Sequence, residues 1–145
     1  MQPLPHSYKV QVTGGAEGYA KLVAEGVPDL ASAGPKEFDG PGDAWSPENL
    51  LLAAVSSCFL LTLRAVARAS GLEFISLDCP CDGIVDKQDR KLRFTLINLR
   101  PHLVLRNEQD REKALLVLEK SESGCLVSAS LSTPVHMEPT VTVCA

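Results

Sequence analysis

The stretch Ser46-Pro47-Glu48-Asn49-Leu50-Leu51-Leu52-Ala53-Ala54-Val55-Ser56-Ser57-Cys58-Phe59-Leu60-Leu61-Thr62-Leu63 decides the fold. Ser46 is a residue that caps helices, Pro47 suits the first helical position, and Glu48 complements the positive end of the helix dipole. Gly71 supplies the stop. Between these signals the residues are apolar almost all round until Arg64, whereas a surface helix shows a polar stripe. Such a helix is expected to be covered on several sides, which a small domain achieves economically by pairing with a second copy. The apolar run from Leu50 to Leu63 is interrupted by Ser56, Ser57 and Thr62 and followed by Arg64 and Arg68, so it is expected to be too short to cross a bilayer.

Outward from this helix, Tyr8–Thr13 and Gly18–Ala24 alternate around Gly14-Gly15 and predict a hairpin, with another strand around Pro28–Ser32. Gly34–Asp43 is rich in turn formers and predicts a surface loop. After the helix, Phe74–Cys79 leads into a strand through Val85, and Asp86–Arg90 is expected to turn. Leu92–Leu105 is extended and broken by Pro101, making a second antiparallel region. Asn107–Asp110 is expected to cap a helix with Ala114, Leu115, Val117 and Leu118 on its apolar face, ending at Ser121–Gly124. Cys125–Ser130 begins a further helical turn, and Val135–Val143 closes the chain as a strand. The elements predict an α+β fold.

The chain has 145 residues, 45% of them hydrophobic, and a formal net charge of -4. This fits one domain over 1–145, with no basic excess for nucleic acid. Five cysteines lack the dense spacing of a secreted disulfide scaffold, and the N-terminus lacks a basic segment followed by an apolar one. A cytoplasmic protein with no membrane partner is expected.

Two thiols stand out. Cys58 lies within the apolar helix, where desolvation keeps a thiol inert unless a cation or donated hydrogen bonds hold the thiolate. Cys125 follows Gly124 at a helix start, where backbone N–H groups favour a thiolate and glycine permits close approach, although an ordinary helix start reads the same way. Cys79 and Cys81, two apart, share one face of a strand. They read as packing residues or a metal pair, and His6, His102 and His136 have no zinc-ligand spacing beside them. Cys144 is nearly terminal.

The run from Ser46 to Phe59, together with Ser123-Gly124-Cys125-Leu126-Val127-Ser128, resembles the two signature segments of the OsmC/Ohr family (osmotically inducible protein C and organic hydroperoxide resistance protein). The order of elements matches over nearly the whole chain, and Asp86-Lys87 after a central strand also looks familial. The resemblance implies an intertwined α+β homodimer, with long cysteine-bearing helices at the centre and antiparallel sheets outside. It implies a cofactor-free peroxidase acting on organic hydroperoxides in oxidative-stress defence. Cys58 would be the peroxidatic residue and Cys125 the resolving one, with an external thiol or dithiol as reductant.

The family's helix-start glutamate maps onto Glu48, where it orients a basic residue beside the reactive sulfur. Ten helical steps from Glu48 to Cys58 span about 15 Å, so Glu48 is expected to serve the partner chain's site. Two departures follow. No arginine precedes Arg64, leaving Lys36 as the nearest substitute, without the guanidinium fork. Leu126 stands where the family usually has proline, a change expected to loosen the turn. Phe38, Trp45 and Phe59 are candidates for an apolar wall. The alternative is a non-catalytic OsmC-like binding protein that has lost the activating arginine.

Overall fold

The computed structural model describes residues 1–144. The chain divides into two compact units, Met1–Leu50 and Leu51–Ala145.

In the first unit, β1 (Gln11–Thr13), β2 (Ala20–Val23) and β3 (Leu30–Ser32) form an antiparallel sheet. The hairpin and the third strand stand where the alternation put them. The following loop holds one 3-10 turn, Lys36–Phe38. Its path closes on itself at Gly42 (φ 74), where an added Cβ would overlap the Lys36 stem. The unit ends in the start of helix α1 (Pro47–Ser70). There the Asn49 amide donates to Ser46 Oγ at 3.1 Å and the Ser46 amide donates to Asn49 Oδ1 at 3.2 Å. This is a reciprocal cap in which asparagine fills the place more often given to glutamate or glutamine.

The second unit carries the rest of α1, then β4 (Phe74–Asp78), β5 (Cys81–Gln88), β6 (Lys91–Leu99) and β7 (His102–Leu105). Helices α2 (Arg111–Ser123) and α3 (Leu126–Ala129) follow, and β8 (Val135–Met137) and β9 (Thr140–Val143) close the chain. The stop of α1 has both hydrogen bonds of a glycine-terminated helix: Leu72 N–H to the Ala67 carbonyl at 2.9 Å and Gly71 N–H to the Arg68 carbonyl at 3.3 Å. Gly71 takes φ 69, which a side chain would strain.

The strands form two three-stranded sheets, β4-β7-β9 and β5-β6-β8. Each chain segment passes from one sheet to the other at a proline: Pro80 between β5 and β4, Pro101 between β6 and β7, Pro139 between β8 and β9. Bonds on either side keep the segments paired through this crease. Arg100 N–H donates to the Pro80 carbonyl at 2.9 Å, Glu138 N–H to Leu99 at 2.9 Å and Thr140 N–H to Pro101 at 2.8 Å. Proline has no N–H to contribute to a ladder, so each break falls where one donor is missing. Beside the crease, Arg100 pairs with Asp82 and lies 3.7 Å from Glu138.

Asp86, Lys87 and Gln88 continue β5, and the turn is only Asp89-Arg90, both with positive φ (52 and 67), the mirror-image geometry that suits a two-residue hairpin. The stretch Val135–Val143 is two strands, and both are parallel to their neighbours β6 and β7. The intervening helices return the chain before it re-enters the sheets, so these are mixed rather than purely antiparallel.

The core joins both helices to the central strands. Val55, Phe59, Leu63 and Ala67 form one stripe of α1, four residues apart, against Ile97, Leu99, Leu103 and Leu105. The stripe of α2 is Ala114, Val117, Leu118 and Ser121, whereas Leu115 is exposed. Ser121 is tolerated there because its hydroxyl donates to the Val117 carbonyl at 2.6 Å.

Helix α1 is 24 residues long, longer than its apolar run, and by length and apolarity alone is enough to cross a membrane. Its buried stripe makes it the core helix of the fold. Only 22% of its most apolar window is buried within the chain, so the cover expected on several sides is present on one. Ala54, Ser57 and Leu61 remain exposed along another face.

Candidate active site

Both thiols singled out in the sequence lie in the second unit, and the fold brings them together. Cys58 is half-buried on the flank of α1, beside the buried stripe. Cys125 is the residue before α3 and is 1% exposed. Gly124 makes the approach possible. A Cβ added there would meet the Lys120 carbonyl at 3.1 Å and Thr62 Cγ2 at 3.7 Å, so the α2–α3 corner runs tight against α1 one turn beyond Cys58.

The environment of the Cys58 sulfur sets two effects against each other. Burial works against the thiolate. It is outweighed by the Val127 backbone amide, the Cys125 thiol, the Thr62 hydroxyl and the Leu126 backbone amide, all of which donate towards Cys58, and the thiol is held below its ordinary value. Thr62 Oγ1 lies 4.0 Å from Cys58 Sγ. Cys125 is itself held by the Ser128 hydroxyl at 3.5 Å and borders a cavity of ≈ 190 Å³ with Ser128, Thr133 and Val135. The two sulfurs are not bonded to each other.

Sequence reasoning missed Thr62 and Val127. Thr62 was legible as the residue four after Cys58, on the same side of a helix. The amides of Leu126 and Val127 follow from the first turn of α3, whose leading N–H groups have no partner within the helix. Leu126 has a consequence that the expectation of a loosened turn overlooked: proline at this position would have no N–H to aim at Cys58.

Glu48 and Lys36 lie in the first unit. Glu48 is in the first turn of α1, and its Oε2 is buried with no hydrogen-bond partner among the described residues. Lys36 makes no ion pair among the described residues, so the clamp expected between it and Glu48 is not formed within the chain. The physical reason is local: the Lys36 stem is laid across Gly42 within its own loop. Of the three aromatic candidates, Phe59 is wholly buried in the core and is no wall of a site, while Phe38 and Trp45 are about half exposed.

Cys79 and Cys81 flank Pro80 and pack against the core from the sheet crease. Burial and the neighbouring Cys81 push Cys79 up to about 11. Burial also raises Cys81, with Arg100 opposing it. Among the described residues no third Cys, His, Asp or Glu joins them in a metal-binding group.

Comparison with known proteins bears on the family and the fold. The family model described as OsmC-like protein matches residues 40–140. An uncharacterized protein of Bacillus subtilis (strain 168), YmaD, is 33% identical over 107 residues, which are 72% of this chain and 71% of that protein. An OsmC-like protein of unknown function from Vibrio cholerae superposes with a TM-score of 0.82 at 20% identity, covering 93% of this chain and 99% of that one. An organic hydroperoxide resistance protein from Elizabethkingia anophelis superposes with a TM-score of 0.77 at 20% identity, covering 99% and 100%. One from Legionella pneumophila gives 0.73, also at 20% identity and with the same coverage.

Proposed function

Because the chain belongs to the OsmC-like protein family, we propose that it is a thiol-dependent peroxidase that reduces organic hydroperoxides through Cys58 and Cys125. The observation that carries this reading is the Cys58 sulfur itself, a thiol whose pKa is lowered by surrounding hydrogen-bonding groups, a second thiol, Cys125, among them. Neither feature is needed for packing, and both are needed for a two-cysteine cycle. Some of its structural neighbours are organic hydroperoxide resistance proteins.

The cycle runs as follows. The Cys58 thiolate attacks the terminal oxygen of the hydroperoxide, the O–O bond breaks, and the alkoxide leaves as alcohol after taking up a proton. Cys58 is now a sulfenic acid. The Cys125 thiol attacks its sulfur, water leaves, and a Cys58–Cys125 disulfide forms. Two equivalents of an external thiol, or one dithiol, restore both thiols and leave as the oxidised reductant. A reducing cytoplasm supplies such reductants. No bound cofactor takes part in these steps.

The same reading makes the active form a homodimer. The exposed Ala54, Ser57 and Leu61 face of α1 is the proposed contact, since small residues let two helices approach closely. Glu48 serves the partner's Cys58 in this assembly, and its orphaned Oε2 is the group that gains a donor there. Lys36 is the proposed cation of that site.

One observation favours the rival reading of a non-catalytic binding protein: among the described residues no cation pairs with Glu48. Treating the reduced protein with cumene hydroperoxide separates the two. Loss of two thiols per chain, with a Cys58–Cys125 disulfide found by peptide mapping, is the result expected of the peroxidase. Unchanged thiols at equimolar peroxide would leave the binder.

A further inference from the structure

Three arginines converge on one cavity of the second unit. Arg64 and Arg68 extend from the last two turns of α1 and Arg106 follows β7. With Glu73 they surround a space of ≈ 570 Å³ floored by Ala67, Leu72 and Phe74. Among the described residues none of these arginines has an ion-pair or hydrogen-bond partner. Arg64 and Arg68 complement the negative end of α1, which accounts for two positive charges at a helix C-terminus. It does not account for Arg106, which comes from a different element and adds a third like charge to the same space.

The structure assigns to this cavity a small phosphomonoester with an apolar body, its phosphate among the Arg64, Arg68 and Arg106 guanidiniums and its body against Phe74. Three arginines less one glutamate leave two positive charges, which match the roughly -1.5 to -2 of a phosphomonoester near neutral pH. Guanidinium forks pair with phosphate oxygens two at a time. The volume lies within the range of small-molecule sites. Ala67 and Leu72 are almost fully covered, 2% and 5% exposed, so the apolar surface open to a ligand here is that of the half-buried Phe74. This site is independent of the thiol chemistry.

The test is calorimetric titration of the full chain with phenyl phosphate at low salt, beside benzoate, inorganic phosphate and benzyl alcohol. Phenyl phosphate is expected to bind most tightly and benzyl alcohol not at all. Arg106→Met is expected to weaken binding about tenfold and Arg64→Met/Arg106→Met about a hundredfold, from the loss of charge-assisted hydrogen bonds. Added salt is expected to weaken the parent more than the double variant. Circular dichroism and sedimentation of the same samples report folding and assembly. Absence of binding at millimolar phenyl phosphate, equal affinity for benzyl alcohol, tighter binding of benzoate, or unchanged affinity in the folded double variant would each overturn the assignment. So would loss of self-association in that variant with no change in affinity, because the guanidiniums would then serve assembly.

Discussion

Cys125, carried to helix α1 by the corner between two helices distant in sequence, stands close enough to Cys58 to favour its thiolate. The two chemically identical groups differ in their surroundings: Cys58 is approached by two backbone amides and the Thr62 hydroxyl, Cys125 by the Ser128 hydroxyl.

Exchange of either cysteine for serine is expected to show this division. Cys58→Ser should bring consumption of cumene hydroperoxide down to the uncatalysed rate. Cys125→Ser should consume one equivalent and stop, leaving a sulfenic acid that dimedone traps and mass spectrometry locates on Cys58. Peroxide turnover by Cys58→Ser at the parent's rate would remove Cys58 as the nucleophile.

Alkylation rates read the thiolates directly. With iodoacetamide, Cys58 should react first, at a pH below the ordinary thiol range, because its pKa is lowered. Cys79 should react last, its ionisation delayed to about pH 11. Leu126→Pro removes one amide donor and should move the Cys58 profile to higher pH, with proportionately slower alkylation at pH 7. An unmoved profile in this variant would show that the Leu126 amide contributes nothing.

Stability should fall in alkali. Cys79 has its folded pKa raised from 9.0 to about 11, so between these values the unfolded chain has lost a proton that the folded chain keeps. The folded state is then disfavoured as pH rises, by at most about 1.4 kcal/mol per unit for this one group. Cys81 acts in the same direction. Urea midpoints measured between pH 8 and 10.5 should decline, and the decline should be shallower in Cys79→Ala. An identical slope in parent and variant would contradict the burial argument.

Two substitutions on α1 should separate fold from assembly. Phe59→Ala leaves a void at a wholly buried position and should cost about 3–5 kcal/mol of stability. Leu61→Arg changes a residue 56% exposed. It should leave the chain folded and shift it to monomer in sedimentation. A dimer that persists in Leu61→Arg places the contact elsewhere.

Much of the fold was legible because its signals are local. Ser46, Pro47 and Gly71 bound α1, and each acts through its own backbone and nearest neighbours. Of the apolar face expected on α2, Ala114, Val117 and Leu118 are buried and Leu115 is exposed, since apolarity alone does not fix the buried side of a helix. A serine that satisfies its own hydroxyl on the preceding turn is buried instead. The mixed sheets were not legible, since strand direction depends on which segments meet after the helices. The candidate site shows the same limit. Helical setting singled out Cys58 and Cys125 and resemblance gave them roles, while the other groups that lower Cys58 are an amide pair and a threonine whose identities carry no thiol signature.

The three prolines of the crease also bear on how the strands find one another. A strand of alternating residues is prone to slipping along its neighbour, and a slip of one place exchanges its two faces. In this protein such a slip would carry Pro80, Pro101 or Pro139 into a rung that needs an N–H, while leaving the fold line of the adjacent strand unmatched. The imino residues thus act as alignment marks, penalising misregistered pairings before any side chain has packed.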